Sequence, residues 1–275
     1  MKFKAAPKHF FRTIIIAYAA VLVIMALFQR SLLYHPDTDL KLPQYYGLDM
    51  SAVTLTTQDN VKITAWFREA EKNGDYLVYL HGNAQNISNR KPDLKAFMDE
   101  GFGIIAVSYR GFGTSEGSPS EEGLYNDARA AISFLKDKGI KEKNIILYGE
   151  SLGTGIATKM ATEIEAEALV LEAPYTSIAD RAQEIYPFIP IKLLLRDNFE
   201  SIEKIKTINI PVLILHGEKD MVVPTHHGKA VYAAANNPKK LVLFKNNGHN
   251  NRNVEEIAKL VRDFTSSYQR NSSAP

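Results

Sequence analysis

One serine in the sequence stands in a pattern that suits nucleophilic chemistry. Ser151 lies within the segment Gly149–Gly153, which reads GESLG, after an apolar strand-like run and before a helix-like segment. Glycines two positions before and two after the serine allow the strand and the helix to approach each other closely. The turn also places the serine at a helix N-terminus, which stabilises negative charge that develops on a substrate oxygen. Ser151 is therefore the predicted nucleophile.

Much further along the chain lie an aspartate and a histidine, the residue types that can activate a serine. Asp220 lies in a loop after one apolar run, and His249 lies in a loop after the next. Because catalytic groups in open α/β sheets gather beyond the carboxyl ends of strands, both are expected near Ser151. There His249 would accept the serine proton, while Asp220 would fix the imidazole tautomer. An aspartate before a helix is more often a turn or cap residue, and Glu218 is the rival acid.

A tetrahedral oxyanion also needs hydrogen-bond donors. The backbone N–H of Leu152, at the predicted helix start, is one of them. The other is expected in the loop that begins at His81 and reads HGNA, where Gly82 lets the backbone approach a substrate closely. Asn83 is the favoured second donor, and Ala84 is the alternative. His81 itself is expected to hold this turn by hydrogen bonds to loop backbone, although its type would also suit a second base.

The segments around these residues alternate between strand-like and helix-like patterns, which predicts a mostly parallel sheet covered by helices on both faces. A hairpin of Ser51–Thr57 and Val61–Arg68 precedes the alternation and completes a predicted sheet of eight strands. The six remaining predicted strands are Tyr76–Leu80, Gly103–Val107, Asn144–Tyr148, Ala168–Leu171, Val212–Leu215 and Leu241–Phe244. The predicted helices are Asn86–Glu100, Glu121–Lys138, Leu152–Glu163, Thr225–Ala235 and Asn253–Tyr268.

The N-terminal region predicts attachment to a membrane. The run from Thr13 to Phe28 is apolar and uncharged. Flanking apolar residues lengthen it toward the thickness of the hydrocarbon core of a bilayer, which is about 30 Å. Basic residues before the run outnumber those just after it, which predicts a single-pass protein with a cytoplasmic N-terminus and an extracytoplasmic catalytic domain, periplasmic, lumenal or extracellular. A cleaved signal peptide and a buried core helix are the alternatives. Deletion of the residues before Arg30 is expected to release a soluble, active protein.

The predicted organisation is an anchor at residues 1–30, a linker at 31–50, one α/β domain at 51–270 and a disordered tail at 271–275. Residues 176–209 are too long for a normal connection and rich in Tyr, Phe, Ile and Leu, so they are predicted to form a lid.

Composition excludes several classes of function. The net charge is only +2, with no long basic run beyond the N-terminus, which argues against a nucleic-acid partner. The chain has no cysteine, so thiolate metal sites and disulfides are excluded. Neighbouring His226 and His227 are expected to point in different directions on a helix, which leaves zinc without a site. No cofactor and no metal are predicted, and the sequence gives no indication of the oligomeric state.

Several motifs together resemble the α/β-hydrolase superfamily over about residues 51–268. They are the HGNA loop, Tyr109–Ser115 (YRGFGTS), Gly149–Gly153, Gly217–Asp220 and Gly248–Asn250. Within the superfamily the chain is similar to small, N-terminally membrane-anchored hydrolases of the serine aminopeptidase and acyl-protein thioesterase-like branches. The resemblance implies metal-independent hydrolysis of ester, thioester or amide bonds through an acyl-enzyme. It also implies a structural loop for Arg110 and Ser115.

Three functions fit these predictions. The preferred one is a lipid-facing esterase or thioesterase, because an anchor and an apolar lid would lie near the site. A peptidase or aminopeptidase is the alternative and needs a carboxylate for a substrate amine, with Glu150, Glu172 and Glu184 as candidates. An inactive hydrolase-fold scaffold is the third, disfavoured because the predicted nucleophile, base and acid are all present.

Overall fold

A large central sheet dominates the computed structural model, which describes residues 8–71 and 74–272. Within those residues ten strands form one sheet of eight and one sheet of two. In chain order they are β1 (His35–Pro36), β2 (Ser51–Thr56), β3 (Lys62–Arg68), β4 (Tyr76–Leu80), β5 (Ala84–Gln85), β6 (Gly103–Ser108), β7 (Ile145–Glu150), β8 (Ala168–Glu172), β9 (Val212–Gly217) and β10 (Lys239–Phe244). The eight-stranded sheet predicted from the sequence is confirmed.

The strand order explains where a site can form. It runs β10-β9-β8-β7-β4-β6-β3-β2, parallel throughout except where β3 pairs with β2 and with β6. Strand β4 lies between β6 and β7. The connection from β4 to β6 and the connection from β6 to β7 therefore run in opposite directions across the sheet. This reversal opens a crevice beyond the carboxyl ends of the strands. The loops after β4, β7, β9 and β10 meet at this edge.

Helices cover both faces of the sheet. In chain order they are α1 (Lys8–Leu33), α2 (Lys91–Asp99), α3 (Glu121–Asp137), α4 (Leu152–Met160), α5 (Ile178–Ile185), α6 (Ile191–Leu194), α7 (Ser201–Lys204), α8 (Thr225–Ala234) and α9 (Val254–Ser272). Helices α2 and α9 pack on one face, and α3, α4 and α8 pack on the other. Strand β7 is buried along its whole length, which is why its sequence is a continuous apolar run rather than an alternating one.

Helix α1 is the candidate membrane span. The segment His9–Leu33 has 25 residues and a mean hydropathy of 2.3, so its length and composition suffice to cross a bilayer. None of its apolar window is buried inside the protein, so the interpretation as a core helix is wrong. The helix ends at Leu33, three residues beyond the predicted end of the anchor at residue 30.

Several helix and strand ends differ from the predicted bounds, and the two largest differences are in helices α2 and α9. Helix α2 begins at Lys91 rather than Asn86, because Pro92 fits only the first turn of an α-helix and a 3₁₀ helix, Ile87–Arg90, precedes it. Helix α9 runs to Ser272 and so takes in the first two residues of the predicted disordered tail. The rest of that tail lies outside the described residues.

Candidate active site

The turn at Ser151 has the backbone that the motif predicts. Ser151 joins β7 to α4 with φ 50° and ψ −115°, a conformation that costs a non-glycine residue about 1–3 kcal/mol. A Cβ at Gly149 would lie 2.5 Å from the carbonyl oxygen of Gly153, and one at Gly153 would lie 2.0 Å from that of Leu80. The two glycines therefore let helix α4 start directly against β4 and β7.

The contact at Gly153 makes a prediction about stability. In Gly153→Ala the new methyl group would meet backbone, which cannot move aside, so we expect a loss of about 3 kcal/mol in the free energy of unfolding. The control is Gly139→Ala, because Gly139 has open space around its Cα and only its φ of +84° opposes alanine, at about 1 kcal/mol. Equal melting temperatures for the two detergent-solubilised variants would contradict this account.

The structure brings the predicted nucleophile, base and acid together. His249 Nε2 lies 3.1 Å from Ser151 Oγ, and His249 Nδ1 lies 2.7 Å from Asp220 Oδ2. Asp220 Oδ1 accepts hydrogen bonds of 2.8 Å from the backbone N–H groups of Val222 and Val223. One oxygen of Asp220 is thus held by the backbone and the other faces the imidazole, which suits a residue that fixes a histidine tautomer.

The electrostatics of the acid position favour Asp220 over Glu218. Burial by itself would raise the pKa of Asp220, but the hydrogen bonds from His249 and from backbone N–H groups outweigh burial and lower the pKa. Asp220 is therefore ionised at neutral pH, as an imidazolium partner requires. The Glu218 side chain is exposed.

Both predicted oxyanion donors lie at the cavity beside Ser151. Leu152 is the first residue of α4, so its N–H has no acceptor within the helix. Asn83 lines the cavity and Ala84 does not, which favours Asn83 as the second donor. The side-chain amide of Asn83 donates to the Leu33 carbonyl at 2.8 Å, and the backbone carbonyl of Asn83 accepts the N–H of His35 at 2.9 Å. The loop at Asn83 is thus attached to the end of helix α1.

That attachment continues into the segment predicted to be a linker. Residues His35–Pro36 pair in parallel with Ala84–Gln85, which directly follow Asn83. The signal was not visible locally, because two-residue strands have no periodicity and a proline in one of them argues against a strand.

His81 is placed to support the loop rather than to take part in proton transfer. Its Nδ1 lies 2.8 Å from the Gly82 carbonyl oxygen, and its ring packs 4.3 Å from that of Tyr109. Burial lowers the pKa of His81 to about 3, so the ring stays neutral at physiological pH. This agrees with the turn-holding role expected for it.

Behind the nucleophile lies a buried cluster of charges that the sequence did not indicate. Arg90 Nε donates to Glu150 at 2.6 Å, and Arg252 donates to Glu172 and to Asp93, each also at 2.6 Å. Burial alone would raise the pKa of Glu150, but Arg252 and Arg90 lower it to about 2. Glu150 ends the strand that leads into Ser151, and Glu172 ends the neighbouring strand, so these ion pairs brace the turn at Ser151.

A cavity of about 260 Å³ opens at Ser151. Helix α1, residues 176–209 (the predicted lid segment) and the loop at Val222 and Val223 form its walls, which are mainly apolar. Among the described residues that line it there is no carboxylate, and Arg181 is the one charged side chain. The three glutamates considered for binding a substrate amine lie elsewhere.

The third of those glutamates forms a cluster with two histidines. The rings of His226 and His227 stack at 4.4 Å, and both reach Glu184, at 2.7 and 3.3 Å. The expectation that the two histidines diverge is therefore wrong: at the start of α8 both rings turn toward the lid. Their nitrogens and the carboxylate lie within 4.8 Å of one another, close enough in principle to hold a metal ion. In the structure these contacts fasten α5 to α8.

Comparisons with known proteins agree with this geometry. The family model for serine aminopeptidase, S33, matches residues 71–202. The Pyrococcus furiosus esterase Pf2001 superposes with a TM-score of 0.69 at 19% identity, covering 86% of this chain and 98% of the esterase. The chain belongs to the α/β-hydrolase superfamily. The expected fold family of this hydrolase is thereby confirmed, including the central sheet flanked by helices.

Relatives of the hydrolase occur in bacteria and in animals. The uncharacterized protein Rv2307c of Mycobacterium tuberculosis is 34% identical and covers 86% of each chain. Protein ABHD12B of Homo sapiens is 37% identical over 74% of this chain and 64% of that protein. The lysophosphatidylserine lipase ABHD12 of Danio rerio is 32% identical over 77% of this chain and 64% of the lipase. The hydrolase thus belongs with a group that includes esterases and lipases.

Proposed function

We propose that this hydrolase is a membrane-anchored serine hydrolase that cleaves carboxylic ester or thioester bonds of acyl substrates. The observation that carries the proposal is the hydrogen-bonded chain from Ser151 through His249 to Asp220 at the base of an apolar cavity. These residues act as nucleophile, general base and orienting acid.

In the proposed reaction Ser151 Oγ attacks the acyl carbonyl carbon and gives its proton to His249 Nε2. The backbone N–H groups of Leu152 and Asn83 bind the resulting oxyanion. When the tetrahedral intermediate collapses, the alcohol or thiol leaves with the proton from His249, and the acyl group stays on Ser151. A water molecule, deprotonated by His249, then releases the carboxylic acid and restores the serine.

The substrate we favour has a long acyl chain. The cavity walls are mainly apolar, and burial of each methylene contributes about 0.8 kcal/mol to binding. The relative named as a lysophosphatidylserine lipase points in the same direction, toward an ester of a single-chain lipid. A peptidase is disfavoured, because an aminopeptidase needs an anionic partner for the substrate amine and the cavity lining has none among the described residues.

The proposed topology follows from helix α1. With α1 across the membrane and basic residues before it, the N-terminus lies in the cytoplasm and the hydrolase domain lies on the other side. We also propose the division into anchor, linker, hydrolase domain and lid.

A substrate panel tests the proposed function. The detergent-solubilised protein would be assayed with p-nitrophenyl esters of increasing chain length, acyl thioesters and aminoacyl anilides. We expect turnover of the esters and thioesters, with kcat/KM rising with chain length, and little turnover of the anilides. Faster cleavage of the anilides than of any ester would favour the peptidase, and no turnover by a folded protein would favour the scaffold.

A further inference from the structure

Helix α1 has one face turned toward the hydrolase domain and the rest exposed. The partly buried residues of its second half are Leu22, Met25, Ala26, Gln29 and Leu33. Their spacing of three or four residues places them on one side of an α-helix. Leu27, next to Ala26 in the sequence, is 70% exposed on the other side. A helix that served only as a tether would have no such face.

Polar contacts hold α1 against the lid segment in a single register. The Gln29 side chain uses both ends of its amide: Nε2 donates to the Leu194 carbonyl at 3.2 Å, and Oε1 accepts the Arg196 N–H at 2.7 Å. Arg30 forms an ion pair of 2.9 Å with the buried carboxylate of Asp197. Polar groups on a membrane helix commonly serve as such interhelical contacts. The helix is therefore docked on the domain.

The docked face of α1 lines the cavity that contains Ser151. Met25, Ala26 and Gln29 belong to its lining together with Ser151 and Leu152. We propose that α1 is a wall of the acyl-binding cavity, that Met25 and Ala26 determine the chain length accepted, and that the chain enters from the bilayer. This inference rests on the proposed function, since it assigns the substrate's acyl chain to the same site.

Entry from the bilayer follows from the position of the lid. Tyr18 donates a hydrogen bond of 2.6 Å to the Phe188 carbonyl. Along the helix axis Tyr18 lies about 22 Å before the end of α1, at about 1.5 Å per residue. If α1 spans the membrane, the lid lies at the depth of the hydrocarbon. Phe188 and Leu193 on the lid are each 86% exposed, as expected of side chains that face lipid rather than water.

The test is a pair of tryptophan substitutions at adjacent positions of α1 in the full-length protein. Ala26→Trp places an indole in the cavity, whereas Leu27→Trp places the same side chain on the exposed face. For p-nitrophenyl palmitate we expect Ala26→Trp to lower kcat/KM at least about tenfold, since each lost methylene contact alone can cost that much. For the butyrate ester it should change less than about twofold, and Leu27→Trp should match wild type for both esters.

The outcomes separate this inference from the proposed function. If wild type cleaves esters but Ala26→Trp keeps the wild-type chain-length profile, α1 is not a wall of the cavity and the inference is wrong. An equal loss in Ala26→Trp and Leu27→Trp would also contradict it. Met25→Ala gives a second test if Ala26→Trp fails to fold, because it enlarges the cavity and should shift the preference to longer chains. If wild type cleaves no ester at all, the proposed function fails as well.

Discussion

Replacement of Ser151 by alanine is expected to lower kcat for ester hydrolysis by about 10⁶-fold while the fold remains intact. The hydroxyl is the proposed nucleophile, and alanine leaves no group in its place that can form an acyl-enzyme. The residual rate should be small but finite, because the oxyanion donors and the cavity would still orient a substrate. Steady-state kinetics with p-nitrophenyl esters measures the loss.

A surface serine supplies the control for that substitution. Ser118 is exposed in the loop between β6 and α3 and has no proposed role, so Ser118→Ala should have wild-type kcat. Circular dichroism spectra of the two variants should coincide with that of wild type. A Ser151→Ala protein that kept a tenth of the wild-type activity would mean that another residue attacks the substrate.

The second large effect is expected for Asp220→Asn, with a loss in kcat of about 10⁴-fold. The backbone N–H groups of Val222 and Val223 both need the acceptor that Asp220 Oδ1 now provides. They would hold the asparagine oxygen in that place and turn its NH₂ group toward His249 Nδ1. His249 would then carry its proton on Nε2, the atom 3.1 Å from Ser151 Oγ, and could not accept the serine proton.

Glu218→Gln is the matched control, because it makes the same chemical change two residues away on an exposed side chain. We expect its kcat and KM to equal those of wild type. If Glu218→Gln were inactive and Asp220→Asn were active, the assignment of the acid would have to be reversed.

The features that could be predicted from the sequence are those that depend on residues close together in the chain. The turn at Ser151 needs a strand, two glycines and a helix start, all within a few positions, so the pattern predicts the backbone that the structure has. The parallel strands were predictable for a similar reason, since burial on both faces leaves continuous apolar runs. The loops at Asp220 and His249 then followed from the geometry of parallel sheets.

What could not be predicted depends on contacts between distant parts of the chain. The ion pair of Arg252 with Asp93 joins residues 159 positions apart, and either residue alone reads as an ordinary surface charge. The hydrogen bond of Gln29 with the Arg196 N–H spans 167 positions. Composition identifies α1 as apolar, but only its contacts with residues 188–197 reveal that one of its faces also lines the cavity.

This docking revises one expectation from the sequence. From the sequence alone, deletion of the residues before Arg30 is expected to give a soluble, active protein. Such a deletion would remove Met25, Ala26 and Gln29 from the cavity and uncover the apolar lid. The truncated protein would keep the residues proposed for catalysis but lose part of the proposed acyl site.

The most direct test of the proposed mechanism is to react the full-length protein with a fluorophosphonate and to locate the adduct by tandem mass spectrometry. We expect one phosphonylated residue, Ser151, because only a serine activated by a neighbouring histidine attacks such a reagent rapidly. An adduct on a different residue, or no adduct on a folded protein, would contradict the claim that Ser151 is an activated nucleophile.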